Sequence, residues 1–353
     1  MTLRAKDIAE MLGVSASTLS IVLNNRPGVS DKTRTQILDK IKELHCEYLL
    51  KGPILAQTPP KKETVGFVVY KRFGDIITES PFFNYTLEGI TAALKAQNYD
   101  LKFVYLDREL SRKEQEALLL ESNCRGFLVY AVEMYEDDLE IFIHTPVPFV
   151  LLDNSFQTRD VDCVAINNSQ GIYKAMRYLY EMGHRDIGYI KSRVSITSFK
   201  ERFREYLRQQ EEMGLIFHPD HVLEAGYSEP AVNAAMDHYL EHHSLPTAFL
   251  ADNDLLACYA MQALKRHGFS IPEDVSIIGF DDRPICRLVD PPLTTVAVPL
   301  SLFGPSAIEL LLTKIENPRS QSLKVDIGTS LLPRASVAKI LPPAGKKQPL
   351  AGE

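Results

Sequence analysis

Between Lys6 and Asn25 the apolar residues are spaced as two short helices with a glycine between them, and this limits what the start of the chain can become. Ile8, Ala9, Met11 and Leu12 put an apolar stripe on a first helix. Gly13 is expected to stop that helix, because glycine accepts the left-handed backbone a helix end needs. Ser15 is a good N-cap for a second helix whose inward face is Thr18, Leu19, Val22 and Leu23. Residues 24–29 form a turn cluster, and Ser30-Asp31-Lys32-Thr33 opens a third helix with Ile37, Leu38, Ile41 and Leu44 on its apolar side. Two short helices joined by a Gly-containing turn match the helix-turn-helix, whose second helix lies in the major groove of DNA. An ordinary helical hairpin has the same local pattern, so spacing alone leaves both readings open.

With 353 residues the chain has room for further domains with sizeable cores beyond this compact all-α head. Its net charge of −7 means that affinity for nucleic acid is not a whole-chain property. Residues 1–51 carry eight basic and six acidic side chains, a balance of +2, so any footprint on DNA comes from placement of charge and not its amount. Cys46, Cys124, Cys163, Cys258 and Cys286 are scattered with no Cys-x-x-Cys pair, which points to a reducing compartment and away from a zinc ribbon or a disulfide framework. Met1 leads into a polar helix and no apolar run reaches membrane-spanning length, so a cytoplasmic, nucleoid-associated protein with no membrane partner is expected.

Residues 51–64 are rich in Pro, Gly and Lys and read as a linker. Beyond it the pattern alternates. Strands are expected at 65–70, 101–106, 126–130, 148–153, 187–190, 222–224, 248–251 and 275–280, and helices at 83–97, 114–122, 168–182, 199–213, 231–242 and 254–267. Repeated βα units imply parallel sheets covered by helices, and so many strands point to two lobes with a cleft between them.

The head residues Ile8-Ala9, Gly13-Val14-Ser15, Thr18-Leu19-Ser20, Val22-Leu23-Asn24, Val29-Ser30 and Thr33-Arg34 resemble the DNA-binding head of the lactose-repressor/galactose-repressor (LacI/GalR) family of bacterial transcription regulators. The resemblance continues through Glu181-Met182-Gly183-His184-Arg185-Asp186-Ile187-Gly188-Tyr189-Ile190, Asp252-Asn253-Asp254, the run from Ile271 to Asp282, and Asp290-Pro291-Pro292-Leu293-Thr294-Thr295-Val296. It implies a lambda-repressor-like head (1–48), a hinge (49–63), a periplasmic-binding-protein-like sensor of two parallel-sheet lobes (64–340) and a tail (341–353). The first lobe is expected at 64–162 and 296–325 and the second at 163–293 and 326–340, with crossings near 161–166, 293–298 and 324–328. The tail has no heptad pattern, so a homodimer is expected rather than a tail-linked tetramer.

The resemblance implies a protein, expected to be a repressor, whose affinity for a pseudo-palindromic double-stranded operator is controlled by a small effector between the lobes. Ala16, Ser17 and Ile21 are expected to face base edges. Ala16 and Ile21 can touch a thymine methyl but cannot hydrogen-bond a base, and Ile21 departs from the longer polar residue many relatives carry. A buried Ile21 is the competing reading. Thr2, Ser20, Asn24, Thr33 and Arg34 are read as phosphate-positioning contacts, and Ser15, the N-cap, is counted with the DNA-binding residues. Relatives carry a hinge helix that wedges a leucine into the minor groove. Leu55 falls at that position, yet Gly52-Pro53 would break a helix running through the segment, and a plain tether fits equally well.

Effector contacts are expected at the carboxyl ends of strands and the helix entries beyond them, at Tyr70, Lys71, Phe82, Phe83, Asp153, Asn253 and Asp281. The resemblance adds Arg202, where relatives hold an effector's polar group. An aromatic face flanked by Asp, Asn and Arg suits a sugar or nucleoside, although Phe82 or Phe83 can equally be core. The rival class is a cytoplasmic α/β enzyme acting on a sugar or nucleotide. No glycine-rich phosphate loop follows any strand, and His238-Tyr239-Leu240-Glu241-His242 is read as a polar surface helix, so no cofactor, metal or catalytic residue is expected.

Overall fold

A computed structural model describes residues 5–24, 26–44, 46, 49, 62–74, 76 and 82–340. The chain divides into two compact units, Met1–Lys62 and Glu63–Glu353.

The first unit is the head, with helices α1 (Ala5–Met11), α2 (Ala16–Leu23) and α3 (Asp31–Glu43). Ile8, Ala9, Leu19, Val22, Leu23, Ile37, Ile41 and Cys46 form its core, with Leu12, Leu38, Leu44 and Leu49 packed around it. Gly13 holds φ +63°, the left-handed turn its position requires. Ser15 caps α2 by accepting from the Thr18 N–H (3.0 Å), and Ser30 caps α3 from the Thr33 N–H (3.3 Å). Met11 departs from expectation: it is 61% exposed. So short a helix buries one narrow stripe, and Ile8, Ala9 and Leu12 already fill it.

The second unit contains β1 (Glu63–Lys71), α4 (Phe82–Ala96), β2 (Tyr99–Asp107), α5 (Arg112–Glu121), β3 (Gly126–Tyr130), β4 (Phe149–Leu152) and β5 (Cys163–Ile166). It continues with α6 (Asn168–Glu181), β6 (Ile187–Ser192), α7 (Thr197–Glu212), β7 (Val222–Ala225), α8 (Glu229–His242), β8 (Ala248–Ala251), α9 (Asp254–Arg266) and β9 (Ser276–Asp281). It ends with β10 (Thr294–Ala297), α10 (Leu300–Glu316), β11 (Lys324–Ile327) and β12 (Ser330–Leu332). The strands form two sheets, β11-β5-β4-β3-β1-β2 and β12-β10-β9-β8-β6-β7, parallel throughout except for the edge pair β10–β12. Val65, Phe67 and Val69 of β1 face the α4 side, while Val68 and Tyr70 join a second cluster on the other face. Helices cover both faces, which is why the central strands read as continuous apolar runs and not as alternation. Among the described residues no helix is long and apolar enough to cross a membrane, and all five cysteines are buried free thiols.

The lobe boundaries shift from those expected. Residues 163–166 do not open the second lobe: β5 pairs with β4 and β11 in the first sheet, so the chain leaves that lobe at Asn167. β10 pairs with β9 in the second sheet, so the first lobe resumes at α10 and not at 296. β11 keeps the chain in the first lobe to Ile327, leaving Gly328 and Thr329 as the last crossing. In each case a four-residue stretch satisfies its backbone by pairing, where the sequence suggests a bare connection. α10 itself is an unexpected helix, disguised by Pro305 near its start. It packs on α4 at two glycines. A Cβ on Gly304 would lie 2.6 Å from the Ile90 nitrogen and 2.8 Å from the Gly89 carbonyl carbon, so the backbones meet only because neither residue carries a side chain.

Candidate functional site

The head presents Ala16, Ser17 and Ser20 on the exposed side of α2, with Ile21 half-buried beside them. Ile21 is therefore neither core nor fully displayed. Ser15 is engaged as a cap and also meets the Ser17 and Thr18 hydroxyls at 2.7 and 2.8 Å. The Asn24 amide donates to the Ser20 carbonyl (2.8 Å), the Thr33 hydroxyl meets that of Ser30 (2.8 Å), and the Arg34 guanidinium donates to the Arg26 carbonyl. These four residues first serve the head's own turns. Thr2, Leu55 and the Gly52-Pro53 segment lie outside the described residues.

In the sensor the carboxyl ends of β4, β8 and β9, joined by α7, bring one polar cluster together. Arg202 of α7 is 2% exposed, its guanidinium stacked on the Phe280 ring at 3.6 Å. It donates to Asn168 Oδ1 (2.8 Å), the Asp252 carbonyl (2.5 Å) and Asp281 (3.3 Å). Arg202 and Asp281 were expected as charges awaiting a ligand; they already pair with each other, and the guanidinium reaches its carboxylate partner fully desolvated. Arg283 adds a second cation, 3.8 Å from Asp281. Asn253 caps α9 by accepting from the Leu256 N–H (3.1 Å) and donates to the Tyr227 hydroxyl (2.5 Å). Asp252 is fully buried, accepting from the Tyr189 hydroxyl (2.7 Å) and the Ser192 N–H (2.6 Å).

Asp153 comes to this cluster from the other lobe, at the end of β4, with φ +61°. Burial pushes its carboxyl up to about 8; Arg202 pulls it back, while Asp281 and Glu201 add to the rise. An unfolded aspartate titrates near ~3.9, so between these values the folded sensor holds a proton that the unfolded chain has released. Stability therefore falls as pH rises through that window. Asp252, pushed up to about 7 by burial, adds to the same slope. The sensor's melting temperature is expected to decline from about pH 4 to pH 8, and Asp153→Asn to flatten the decline. An unchanged slope in the variant would assign the proton to another group.

Tyr70 and Lys71 stand apart from the cluster, contrary to expectation. Tyr70 is 1% exposed and donates its hydroxyl to Asp138 (2.7 Å), and Lys71 pairs with Asp107 at the outer strand (3.2 Å). Both found partners from distant sequence, which position after a strand does not reveal. Phe82 and Phe83 open α4, and their side chains lie outside the described residues.

The first lobe's wall is instead built by the loop after β3, which the sequence left unassigned. Glu133 is fully buried, and its carboxylate accepts from the backbone N–H groups of Arg72 (3.0 Å), Phe73 (2.8 Å), Gly74 (2.8 Å) and Ile76 (3.0 Å). Asp138 takes the Arg72 guanidinium at 2.5 Å. Tyr135, between them, lies under Arg72 at 3.9 Å and beside Phe73 at 5.7 Å. It also reaches the second lobe, donating its hydroxyl to the Ser195 carbonyl (2.8 Å), with the Lys200 ammonium 4.9 Å from its ring. Phe73, Tyr135, Ser195 and Tyr227 line a cavity of about 530 Å³ between the lobes. Applying the strand-end rule to β3 would have pointed to this loop.

Comparison with known proteins gives the same division. Residues 4–46 match the family of bacterial regulatory proteins, lacI family, and residues 176–337 match a periplasmic binding protein-like domain. The chain is 31% identical to the HTH-type transcriptional repressor PurR of Pasteurella multocida (strain Pm70), over 94% of this chain and 98% of that one. It is also 31% identical to PurR of Haemophilus influenzae, over 95% and 99%. Among solved structures, a LacI family regulator from Enterococcus faecium with bound ribose aligns at TM-score 0.67 and 26% identity, over 79% of this chain and all of that one. The lac repressor dimer bound to operator and the anti-inducer ONPF aligns at TM-score 0.69 and 22% identity, over 96% and 100%, a likeness of fold. A helix-turn-helix head joined to a two-lobed sensor, with relatives of this identity over nearly their whole length, places the chain: it belongs to the LacI family of bacterial regulatory proteins, as a transcriptional repressor with an effector-binding sensor domain.

Proposed function

We propose that the protein acts as a homodimer in the cytoplasm, binding a pseudo-palindromic operator through α2, and that a sugar or nucleoside in the sensor cleft sets its affinity for that operator. The observation that carries the effector class is Arg202, held flat on Phe280 between Asp281 and the Asp252 carbonyl while Asp153 approaches from the opposite lobe. A carboxylate accepts from neighbouring hydroxyls while the guanidinium beside it donates to them, and the aromatic faces of Tyr227 and Tyr135 bordering the cavity suit the ring that bears those hydroxyls. The ribose held by the Enterococcus faecium regulator supports a ligand of this kind. A ligand shifts operator affinity only by binding one lobe arrangement more tightly than the other, so the protein acts by binding, with no catalytic step.

On the DNA, Ala16 and Ile21 contact thymine methyls, and Ser17 and Ser20 contact the duplex by hydrogen bonds. Footprinting on the promoter of the protein's own gene and of adjacent operons is expected to reveal a two-fold-related protected site. Its affinity should fall steeply with added salt as phosphate counterions are released. Complete absence of protected DNA would overturn the reading.

A further inference from the structure

The C-terminal turn of α8 carries His238, Glu241 and His242, which the operator and effector reading does not use. Positions i, i+3 and i+4 share one face of a helix. Here their ligand atoms all lie within 4.8 Å of one another, and all three side chains are exposed. The two imidazole rings are 4.3 Å apart between centroids, tilted by 42°.

Two further features prepare the group for a ligand. His242 Nδ1 is 2.8 Å from the His238 carbonyl oxygen. A carbonyl only accepts, so Nδ1 carries the hydrogen and Nε2 keeps its lone pair. A donor bond from the second ring nitrogen to a backbone carbonyl is also how metal-binding imidazoles are oriented in general. Tyr239, in the same turn, is buried and donates its hydroxyl to the Ser244 carbonyl (3.0 Å), which anchors the helix end that bears the cluster. The rings thus sit on a fixed element and not on a loop.

We infer that His238, Glu241 and His242 form a surface site for a borderline divalent transition-metal ion such as Zn²⁺ or Cu²⁺, held by two imidazole nitrogens and one carboxylate oxygen. The donor set selects the ion. Imidazole suits zinc, copper and nickel, whereas Mg²⁺ and Ca²⁺ require oxygen ligands. Three protein ligands leave the remaining coordination positions to solvent. In sequence this turn reads as a polar surface helix, and the structure adds that the ligand atoms of all three side chains converge. A bound ion joins the two ends of the last helical turn and stabilises the second lobe through mass action.

The test uses the full chain without an affinity tag, titrated calorimetrically with ZnCl₂, CuCl₂ and MgCl₂. A single Zn²⁺ or Cu²⁺ ion per protomer is expected, Cu²⁺ the tighter, with no heat from Mg²⁺ and an increase in melting temperature with Zn²⁺. His238→Ala and His242→Ala should each weaken binding roughly tenfold or more, and Glu241→Gln should weaken it less. His218→Ala, at a histidine elsewhere in the same lobe, should leave it unchanged. The electron paramagnetic resonance spectrum of the Cu²⁺ form should carry nitrogen hyperfine structure that disappears in the double variant His238→Ala/His242→Ala. Equal affinity in that double variant, equal binding of Mg²⁺, or no binding of either transition ion would overturn the proposal. Operator footprinting is independent of these outcomes, so failure here and failure of the repressor reading are separable.

Discussion

Arg202→Ala is expected to remove effector-dependent stabilisation of the sensor and to destabilise the sensor itself by about 3 kcal/mol. The side chain has no exposed part to lose harmlessly. Its three groups of donors serve Asn168, the Asp252 carbonyl and Asp281, and its plane covers Phe280. Alanine leaves Asp281 without this cation and a void against the ring, and removing one partner of a desolvated pair costs more than the pair itself contributed. A thermal-shift screen of sugars and nucleosides reads both effects: a lower melting temperature without ligand, and no rise with the compound that stabilises the natural protein. Asp281→Asn, on a half-buried residue, should cost less stability yet weaken the same ligand. Full ligand stabilisation in both variants would show that the effector binds elsewhere.

The second large effect concerns Glu133→Gln. One glutamine oxygen cannot replace a carboxylate that four backbone N–H groups approach, and the new amide points donors at donors. Each orphaned buried N–H costs on the order of 1–3 kcal/mol, so a loss of roughly 3 kcal/mol in urea unfolding is expected. The loop after β1 should loosen at the same time, and its amide protons should exchange faster than those of β3 beside it. A variant as stable as the natural protein, with the loop still protected, would show that the carboxylate is not what holds the loop.

The head was legible because its signals are local. Gly13, Ser15 and Ser30 act on backbone within a few residues, so their roles can be read without knowing the tertiary structure. That Asp153 and Asp281 would face a cleft was legible for a topological reason, since parallel sheets present the carboxyl ends of their strands there, whereas Arg202, on a helix, was placed by the family resemblance. The same rule misplaced Tyr70 and Lys71. Their partners, Asp138 and Asp107, lie 68 and 36 residues away in the chain, and no periodicity encodes such pairings. β10 and β11 were hidden by composition, as Thr294-Thr295 and the charged Lys324 and Asp326 do not read as apolar strands, and β5 was hidden because its apolar run reads as a crossing between lobes. The loop from Ala131 to Leu139 was missed because its work is done by carboxylates that look, in sequence, like ordinary surface charges.

Tyr135 gives the sensor a set-point. One hydroxyl on the Ser195 carbonyl and the Lys200 ammonium beside its ring, both reaching across the lobes, amount to roughly 1 kcal/mol of preference for the lobes being together before any ligand arrives. A preference of that size changes the ratio of joined to separated lobes about fivefold. Residue 135 therefore weights the unliganded lobe arrangement, and because its ring also borders the cavity, basal repression and ligand affinity are expected to move together when it is changed.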